Sequence, residues 1–269
     1  MGVYTTINDP SVYFQSTLYT GNGSASSYAI TNTGNANLKP DFLWIKSRSI
    51  ADNNVLFNST AGVSKYLKSN GDDAETTGSS HLNSFNTDGF TLTTTDAALN
   101  QNSATYVSWQ WKCNGTGSGA TVGHGLGTKP TSVFVKRTDG VADWRVFHQY
   151  GNIGNSGTQM QAGGELNSTG AFDFGANSLW NNDSFTSSTF SVGTSSEVNG
   201  NGEVYVAYCF AEVQGYSKFG QYTANNSSNG SHIYTGFKPA WLMIKSTSAS
   251  AENWTILDAA RDPFNYQIS

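Results

Sequence analysis

Three segments of the chain open with the same dipeptide and continue in the same way. Lys39-Pro40-Asp41-Phe42-Leu43-Trp44-Ile45-Lys46 recurs as Lys129-Pro130-Thr131-Ser132-Val133-Phe134-Val135-Lys136, and again as Lys238-Pro239-Ala240-Trp241-Leu242-Met243-Ile244-Lys245. Self-similarity at a long, regular spacing marks a chain built from copies of one supersecondary unit, so any fold proposed for one copy must serve the others. Proline is tolerated at the start of a strand, where its missing N–H leaves no gap in a ladder. The β-branched and aromatic residues that follow suit a half-buried pleated surface. The spacing therefore predicts three strands in equivalent places.

Other landmarks keep step with these three. A second apolar segment follows each copy: Val55-Leu56-Phe57, Trp144-Arg145-Val146-Phe147 and Trp254-Thr255-Ile256-Leu257. Phe85 and Phe90 match Phe185 and Phe190, and Asn102 with Tyr106 matches Asn201 with Tyr205. The two tyrosines open alternating runs, Tyr106-Val107-Ser108-Trp109-Gln110-Trp111 and Tyr205-Val206-Ala207-Tyr208-Cys209-Phe210. Period-two alternation places one face on a core and the other elsewhere. A leader, Phe14 to Ser24, resembles Phe219 to Ser227. One module is then about 100 residues of short strands, the size of a small β-sandwich. Residues 1–115 read as a first sandwich module with an N-terminal leader and 116–213 as a second. Residues 214–269 read as a partial third module, or a connector to a following one, because no tyrosine-led strand follows Lys238 before Ser269. Thr60–Ser69 has Val63, Tyr66 and Leu67 at helical spacing. It is short and weakly capped, which counts against a helix there.

Composition agrees. Charged residues make up 12% of the 269, and aromatic residues 13%; an ordinary soluble domain has roughly 25% charged residues. Disordered chains share such polarity but are poor in aromatics. Large apolar anchors in a background rich in Gly, Asn, Ser and Thr imply many short strands joined by many turns. The predicted class is all-β: tandem antiparallel β-sandwich modules. A net charge of -5 argues against a phosphate-coating surface, and nucleic acid is not an expected partner. No apolar run approaches the ~18 residues of a membrane helix. The first residues lack a basic region and an apolar core of the secretory kind, so synthesis in a cytoplasm is expected. Cys113 and Cys209 sit in strand-like surroundings and are expected to be buried thiols.

Residues that carry chemistry are sparse. His81, His124, His148 and His232 lie in unlike contexts, none at metal-ligand spacing. Gly123-His124-Gly125-Leu126-Gly127-Thr128-Lys129 looks superficially like a phosphate loop, but Pro130 and a strand follow where a helix is needed. It reads as the turn before the second Lys-Pro strand. Glu165 with Asp173, and Asp139 with Asp143, are the carboxylate pairs one could imagine cleaving a glycoside; neither pair recurs, and solvated loop carboxylates are the simpler reading. Asn70, Asp72, Asp73 and Glu75 gather the hard oxygen ligands calcium accepts, without EF-hand spacing, so a polar loop is preferred there. Sugar rings present apolar C–H faces to aromatic planes, and Asn, Ser and Thr bind their hydroxyls. Trp180-Asn181-Asn182 is the leading cluster of that kind, with Tyr150 and Tyr222 as further candidates. Trp44, Trp109, Trp111 and Trp241 lie on repeat strands and are expected in cores or contacts between modules.

The repeat unit also resembles a known family. Phe14-Gln15-x-Thr17-Leu18-Tyr19-Thr20-Gly21-Asn22-Gly23-Ser24, Lys39-Pro40-Asp41-x-x-Trp44-Ile45-Lys46-x-Arg48-Ser49, Asp88-Gly89-Phe90-Thr91-Leu92 and Tyr106-Val107-x-Trp109-x-Trp111-Lys112 are similar to virion structural proteins of tailed bacteriophages, especially marine and cyanobacterial ones. The second half matches through Tyr205-Val206-Ala207-Tyr208, Gly236-Phe237-Lys238-Pro239 and Asn253-Trp254-Thr255-Ile256-Leu257-Asp258-x-x-Arg261. It has Ser188-Thr189-Phe190 where the first has Asp88-Gly89-Phe90. The resemblance implies concanavalin-like jelly-roll sandwiches and a non-enzymatic tail fibre or fibre-like adhesin that recognises a host surface. Two alternatives are an architectural head decoration or tail adaptor, and a polysaccharide depolymerase. The implied location is the virion, assembled in the host cytoplasm. The implied partners are further copies of the chain, a trimer being favoured, other virion proteins and host surface glycans.

Overall fold

The fold was obtained as a computed structural model and is described for residues 9–78, 81–112, 121–151, 163–172, 177–181, 185–249 and 251–261. These divide into two compact units. One holds residues 9–112 with two later stretches, 138–142 and 256–261; the other holds the described parts of 121–137 and 143–255.

In the first unit the strands are β1 (Phe14–Thr20), β2 (Tyr28–Ile30), β3 (Phe42–Ser47), β4 (Val55–Asn58), β5 (Lys65–Lys68), β6 (Thr76–Thr77), β7 (Leu82–Phe85), β8 (Phe90–Leu92) and β9 (Thr105–Trp111), with a one-turn helix α1 (Ala97–Asn100) before the last. A six-stranded sheet runs β1-β9-β3-β4-β5-β6, and a three-stranded sheet runs β2-β8-β7. All pairings are antiparallel. Tyr19, Leu43, Ile45, Val55, Phe57 and Tyr106 of the large sheet pack with Ile30, Leu82, Phe90 and Leu92 of the small one, and this sandwich interior is the unit's core. At one end the interior turns polar. Asn32 Oδ1 accepts from Thr17 Oγ1 (2.8 Å) and Gln110 Nε2 (2.6 Å), while Asn32 Nδ2 donates to the Leu38 carbonyl (3.1 Å). Buried amides of this kind are tolerated because they bond to one another.

Among the described residues the second unit repeats the plan with β10 (Thr121–Gly123), β11 (Ser132–Arg137), β12 (Arg145–His148), β13 (Gly163–Glu165), α2 (Asn177–Trp180), β14 (Thr189–Ser191), α3 (Ser196–Asn199) and β15 (Tyr205–Phe210). One sheet runs β13-β12-β11-β15 and the other pairs β10 with β14. Its core joins Val133, Val135 and Phe147 to Leu179, Trp180, Phe185, Phe190 and Val198. The third Lys-Pro segment forms β16 (Trp241–Ile244), paired with β17 (Thr255–Asp258). All three Lys-Pro segments are thus strands followed by a hairpin partner. The fold is all-β and sandwich-like, as the repeat predicts.

Register shows how deep the repetition goes. Trp44 faces Trp109 across β3 and β9, and Phe134 faces Tyr208 across β11 and β15. Each tyrosine-led strand is preceded by a capped helical turn: Asp96 Oδ1 accepts from Ala98 N (2.8 Å), and the Ser195 side chain caps α3. The Asn100 amide donates to the Thr94 carbonyl, and the Asn199 amide donates to the Gly193 carbonyl, both at 2.8 Å. The Tyr106 hydroxyl accepts from Gln101 N (2.8 Å) and donates to the Ala97 carbonyl (2.7 Å). The Tyr205 hydroxyl accepts from Gly200 N (2.8 Å) and donates to the Ser196 carbonyl. Tyrosine locks the turn onto the strand in both units. The second lysine of the repeat has a job too: Lys46 Nζ donates to the Asp52 carbonyl (2.7 Å) and Lys245 Nζ to that of Glu252, which holds the following hairpin loop. Lys136 Nζ, buried, donates to the Arg137 carbonyl (2.8 Å).

Thr60–Ser69 is not helical, in keeping with its shortness and weak caps; Lys65–Lys68 is β5, where Leu67 pairs with Leu56 and is buried. Among the described residues the helical turns are a 3-10 turn at Pro10–Val12 and the one-turn helices α1, α2 and α3, none of which sequence reading anticipated. Cys209 is half-buried, not buried, and Cys113 lies outside the described residues. In the first unit Trp109 Nε1 donates to Asp258 Oδ2 (3.2 Å), and the Arg261 guanidinium lies 5.3 Å from the Trp109 ring centre. The residues after the third Lys-Pro strand therefore contact the first Tyr-led strand.

Candidate functional site

The aromatic candidates separate sharply. Trp180 is fully buried at the end of α2, edge-on to Phe147 (5.7 Å) and Phe185 (6.4 Å). It is a core residue and cannot stack on a sugar, which corrects its selection as the leading candidate. Its polar neighbours misled: Asn181, immediately after the buried indole, is exposed, with φ 43°. Asn182 lies outside the described residues. Tyr150 is half-buried, with its ring 6.0 Å from the His148 imidazole. Tyr150 N donates to His148 Nδ1 (3.2 Å), and Phe219 covers the same imidazole at 5.9 Å. Burial pushes the His148 pKa down to about 4, with Glu212 opposing. Tyr150 thus belongs to a half-buried cluster of rings.

Tyr222 is different. It is 47% exposed and lines an open cleft of about 390 Å³ with Ala224, Asn225, Asn226, Ser227, Ser228, Gly230 and Ser231. The loop is held in shape by its own polar groups. Asn225 Nδ2 donates to the Asn229 carbonyl (3.0 Å), Asn225 Oδ1 accepts from Ser227 N (3.2 Å), Ser227 Oγ accepts from Asn229 N (3.2 Å), and Ser231 Oγ donates to the Thr223 carbonyl (3.0 Å). Asn and Ser favour such turns because their short side chains reach backbone groups two residues on. The Asn226 and Ser228 side chains make no hydrogen bond to the described residues. The lining carries no formal charge. A tyrosine face beside amides and hydroxyls, without charge, has the chemistry for a neutral polyhydroxylated ligand. Of the sequence candidates, Tyr222 alone among the described residues lines this cleft.

The remaining candidates are held in structural bonds. Asp73 pairs with Lys68 (3.2 Å) and Glu75 with Lys65 (3.0 Å), while Asn70 accepts from Asn54 N (2.9 Å) and donates to Asn53 (3.1 Å). Asp72 is exposed, and its carbonyl accepts from Ala142 N (3.2 Å). Among the described residues no three His, Cys, Asp or Glu side chains gather as a metal site would require. Glu165 pairs with Arg145 (2.7 Å), and Asp143 accepts from Asn167 (2.8 Å); Asp173 lies outside the described residues. Burial disfavours the Arg145 charge, but the Glu197 and Glu165 carboxylates outweigh it and raise the Arg145 pKa. His124 accepts from Leu126 N through Nδ1 (3.2 Å), inside the turn before β11. Among the described residues no helix is long and apolar enough to cross a membrane.

Sequence reading missed one feature, the exposed apolar side of the third Lys-Pro segment. Ile233 (48% exposed), Tyr234 (81%) and Leu242 (39%) lie there. Comparison with known proteins bears on the repeat itself. The model of a domain of unknown function (DUF7483) matches residues 9–120 and, separately, residues 112–269. The chain belongs to the DUF7483 family. It carries two DUF7483 matches, the first spanning β1 to β9 and the second taking in both later Lys-Pro strands. No curated protein and no solved structure matches the chain.

Proposed function

We propose that this DUF7483 protein is a structural component of a tailed-bacteriophage particle, a tail fibre or fibre-like adhesin that contacts glycans of the host surface. The observation that carries the reading is the neutral Tyr222 cleft on a chain of repeated sandwich units. Sandwich modules in series give reach, and a homotrimer presenting three such clefts raises avidity for weak glycan contacts without any new contact per site. Low charge density makes such a surface less sensitive to ionic strength, which suits a protein working outside the cell in variable salt. The motif likeness to virion proteins of marine and cyanobacterial phages points the same way.

Two measurements test this. Gold-labelled antibody against the chain should decorate the tail fibres of particles that carry it. Dense labelling over the head would instead identify an architectural decoration. Binding of the purified chain to host envelope glycans should fall at least fivefold in Tyr222→Ala. Unchanged binding would remove the cleft from the account, and shortened glycan chains after incubation would make the protein a depolymerase.

A further inference from the structure

The turn before each tyrosine-led strand carries an asparagine, Asn102 in the first module and Asn201 in the second, but the next residue differs: Ser103 in one, Gly202 in the other. A backbone N–H that follows an asparagine can attack that residue's side-chain amide, and a glycine there hinders the attack least because it has no Cβ. In the first module the nitrogen is engaged: Ser103 N donates to the Gly21 carbonyl (2.9 Å). In the second it is open. Glu203 N closes the turn onto the Gly200 carbonyl (3.2 Å), and Gly202, with φ 79°, takes the glycine place of a type II turn. Asn201 and Gly202 are both exposed, and among the described residues neither the Asn201 side chain nor the Gly202 N–H makes a hydrogen bond. A Cβ on Gly202 would meet nothing within 4 Å, so this face of the turn is unobstructed.

Three other Asn-Gly pairs are tied down. Asn22 Oδ1 accepts from Asn100 Nδ2 (2.9 Å) while Gly23 N donates to the Asn100 carbonyl (3.1 Å). Asn70 is held by Asn54 N (2.9 Å) and the Asn53 side chain (3.1 Å). Asn199 Nδ2 donates to the Gly193 carbonyl and Gly200 N to the Tyr205 hydroxyl, both at 2.8 Å. Asn229-Gly230, in the Tyr222 loop, is exposed and lacks such bonds among the described residues, so it should react as well.

We propose that Asn201 is a site of covalent modification, converting through a succinimide to aspartate and isoaspartate and so loosening the second module alone. Gly202 N attacks Asn201 Cγ and gives up its proton. The new C–N bond closes a five-membered ring, and the Cγ–Nδ2 bond breaks with loss of ammonia, which carries that proton away. One water then opens the ring. Opening at Cγ leaves aspartate; opening at the backbone carbonyl leaves isoaspartate, with the main chain running through Cγ. Nothing is oxidised or reduced. Either product adds a carboxylate two residues from Glu203, which pairs with Arg137 (2.6 Å) and lies 2.5 Å from the Tyr205 hydroxyl. Isoaspartate also lengthens the turn by one methylene. The change bears on the tyrosine lock, because Gly200 and Tyr205, which bond to each other, flank the altered residue. The inference does not depend on the glycan reading of the Tyr222 cleft.

The test incubates the whole chain at mildly alkaline pH in heavy-oxygen water, so that only asparagines converted during the incubation carry label, and maps the peptides. Asn201 should take up label at least tenfold faster than Asn22, Asn70, Asn102 and Asn199. Unfolding in urea should bring Asn22, Asn70 and Asn199 up to the rate of Asn201, since folding and not sequence withholds them. Ser103→Gly is the sharper control: it gives the first module an Asn-Gly pair whose amide still bonds to Gly21, so Asn102 should stay at least tenfold slower than Asn201. In the aged chain, amide exchange over residues 205–210 should quicken at least threefold with that over 105–111 unchanged. Asn201→Gln, which still converts Asn229, should keep exchange over 205–210 at its starting rate. The proposal fails if Asn201 is labelled no faster than Asn22, Asn70 and Asn199, or if unfolding does not raise those three. It also fails if Asn102 of Ser103→Gly matches Asn201, or if conversion at Asn201 leaves exchange over 205–210 unchanged.

Discussion

Replacing Tyr106 by Phe isolates the contribution of one hydroxyl to the repeat. In the first unit the phenol accepts from Gln101 N at 2.8 Å and donates to the Ala97 carbonyl at 2.7 Å, so it ties the end of α1 to the start of β9. The ring stacks on Tyr19 at 5.0 Å and 14°, and phenylalanine preserves that contact, so no cavity opens. What disappears is two hydrogen bonds at a part-buried site. At about 1 kcal/mol net each, the loss is about 2 kcal/mol. For a unit of about 100 residues that corresponds to a midpoint lower by about 10 °C. The assay should be local, because the chain has two units. Native-state hydrogen exchange reports opening free energies for β1, β3 and β9 separately from those of β11 and β15. The expected result is a drop of about 2 kcal/mol confined to the first set, with Tyr205→Phe producing the mirror image in the second. A loss under about 0.5 kcal/mol, or an equal loss in both sets, would refute the reasoning that this hydroxyl locks its own module.

Two other outcomes follow from the geometry. The His148 pKa is held at about 4 by burial, below its ordinary 6.5, so the unfolded chain takes up the proton first as pH falls. Stability should be complete above pH 6.5 and decline towards pH 4 by up to about 3 kcal/mol; His148→Gln should flatten that acid limb in urea melts at stepped pH, and an unchanged slope would count against it. Trp180→Ala should cost about 3–5 kcal/mol in the same melts, because the indole fills the second core, whereas Tyr222→Ala should stay within about 0.5 kcal/mol; the reverse ranking would exchange their roles.

Strands were legible because the repeat repeats their chemistry. A Lys-Pro start and an aromatic alternation each appear more than once, so one copy checks another. The helical turns were not legible, since four residues carry no periodicity; only the capping residues Asp96 and Ser195 mark α1 and α3. Leu67 was ambiguous for a related reason: Val63, Tyr66 and Leu67 satisfy helical spacing, and only the pairing of β5 with β4 decides that they are not helical. Trp180 was misjudged because the polarity of its sequence neighbours says little about where an indole points once α2 packs on Phe147. Asp88-Gly89-Phe90 and Ser188-Thr189-Phe190 differ at a position where the first module needs glycine: Gly89 has φ 83°, and a Cβ there would sit 2.0 Å from the Ile30 carbonyl oxygen. Opposite Thr189 stands Gly123.

The same pattern has different consequences in different copies. In the first two modules the polar groups of the repeat are used internally: tyrosine hydroxyls lock turns, asparagine amides close them, and cross-strand aromatics face one another. Little remains to engage a ligand, and the candidates drawn from those modules, Trp180 and the Asp73–Glu75 loop, prove to be packed or paired. In the third copy Lys245 still clamps its loop, so the hairpin is built as before, yet Leu242, Ile233 and Tyr234 face outward and Tyr222 borders a neutral cleft. A buried apolar residue contributes about 1.5–3 kcal/mol when it is fully covered, so these exposed positions hold a stabilisation that folding of the described residues does not collect. Leu242→Asp should therefore leave the chain's stability nearly unchanged in urea melts, whereas Val133→Asp, at the equivalent but fully buried position in the second module, should unfold that module outright.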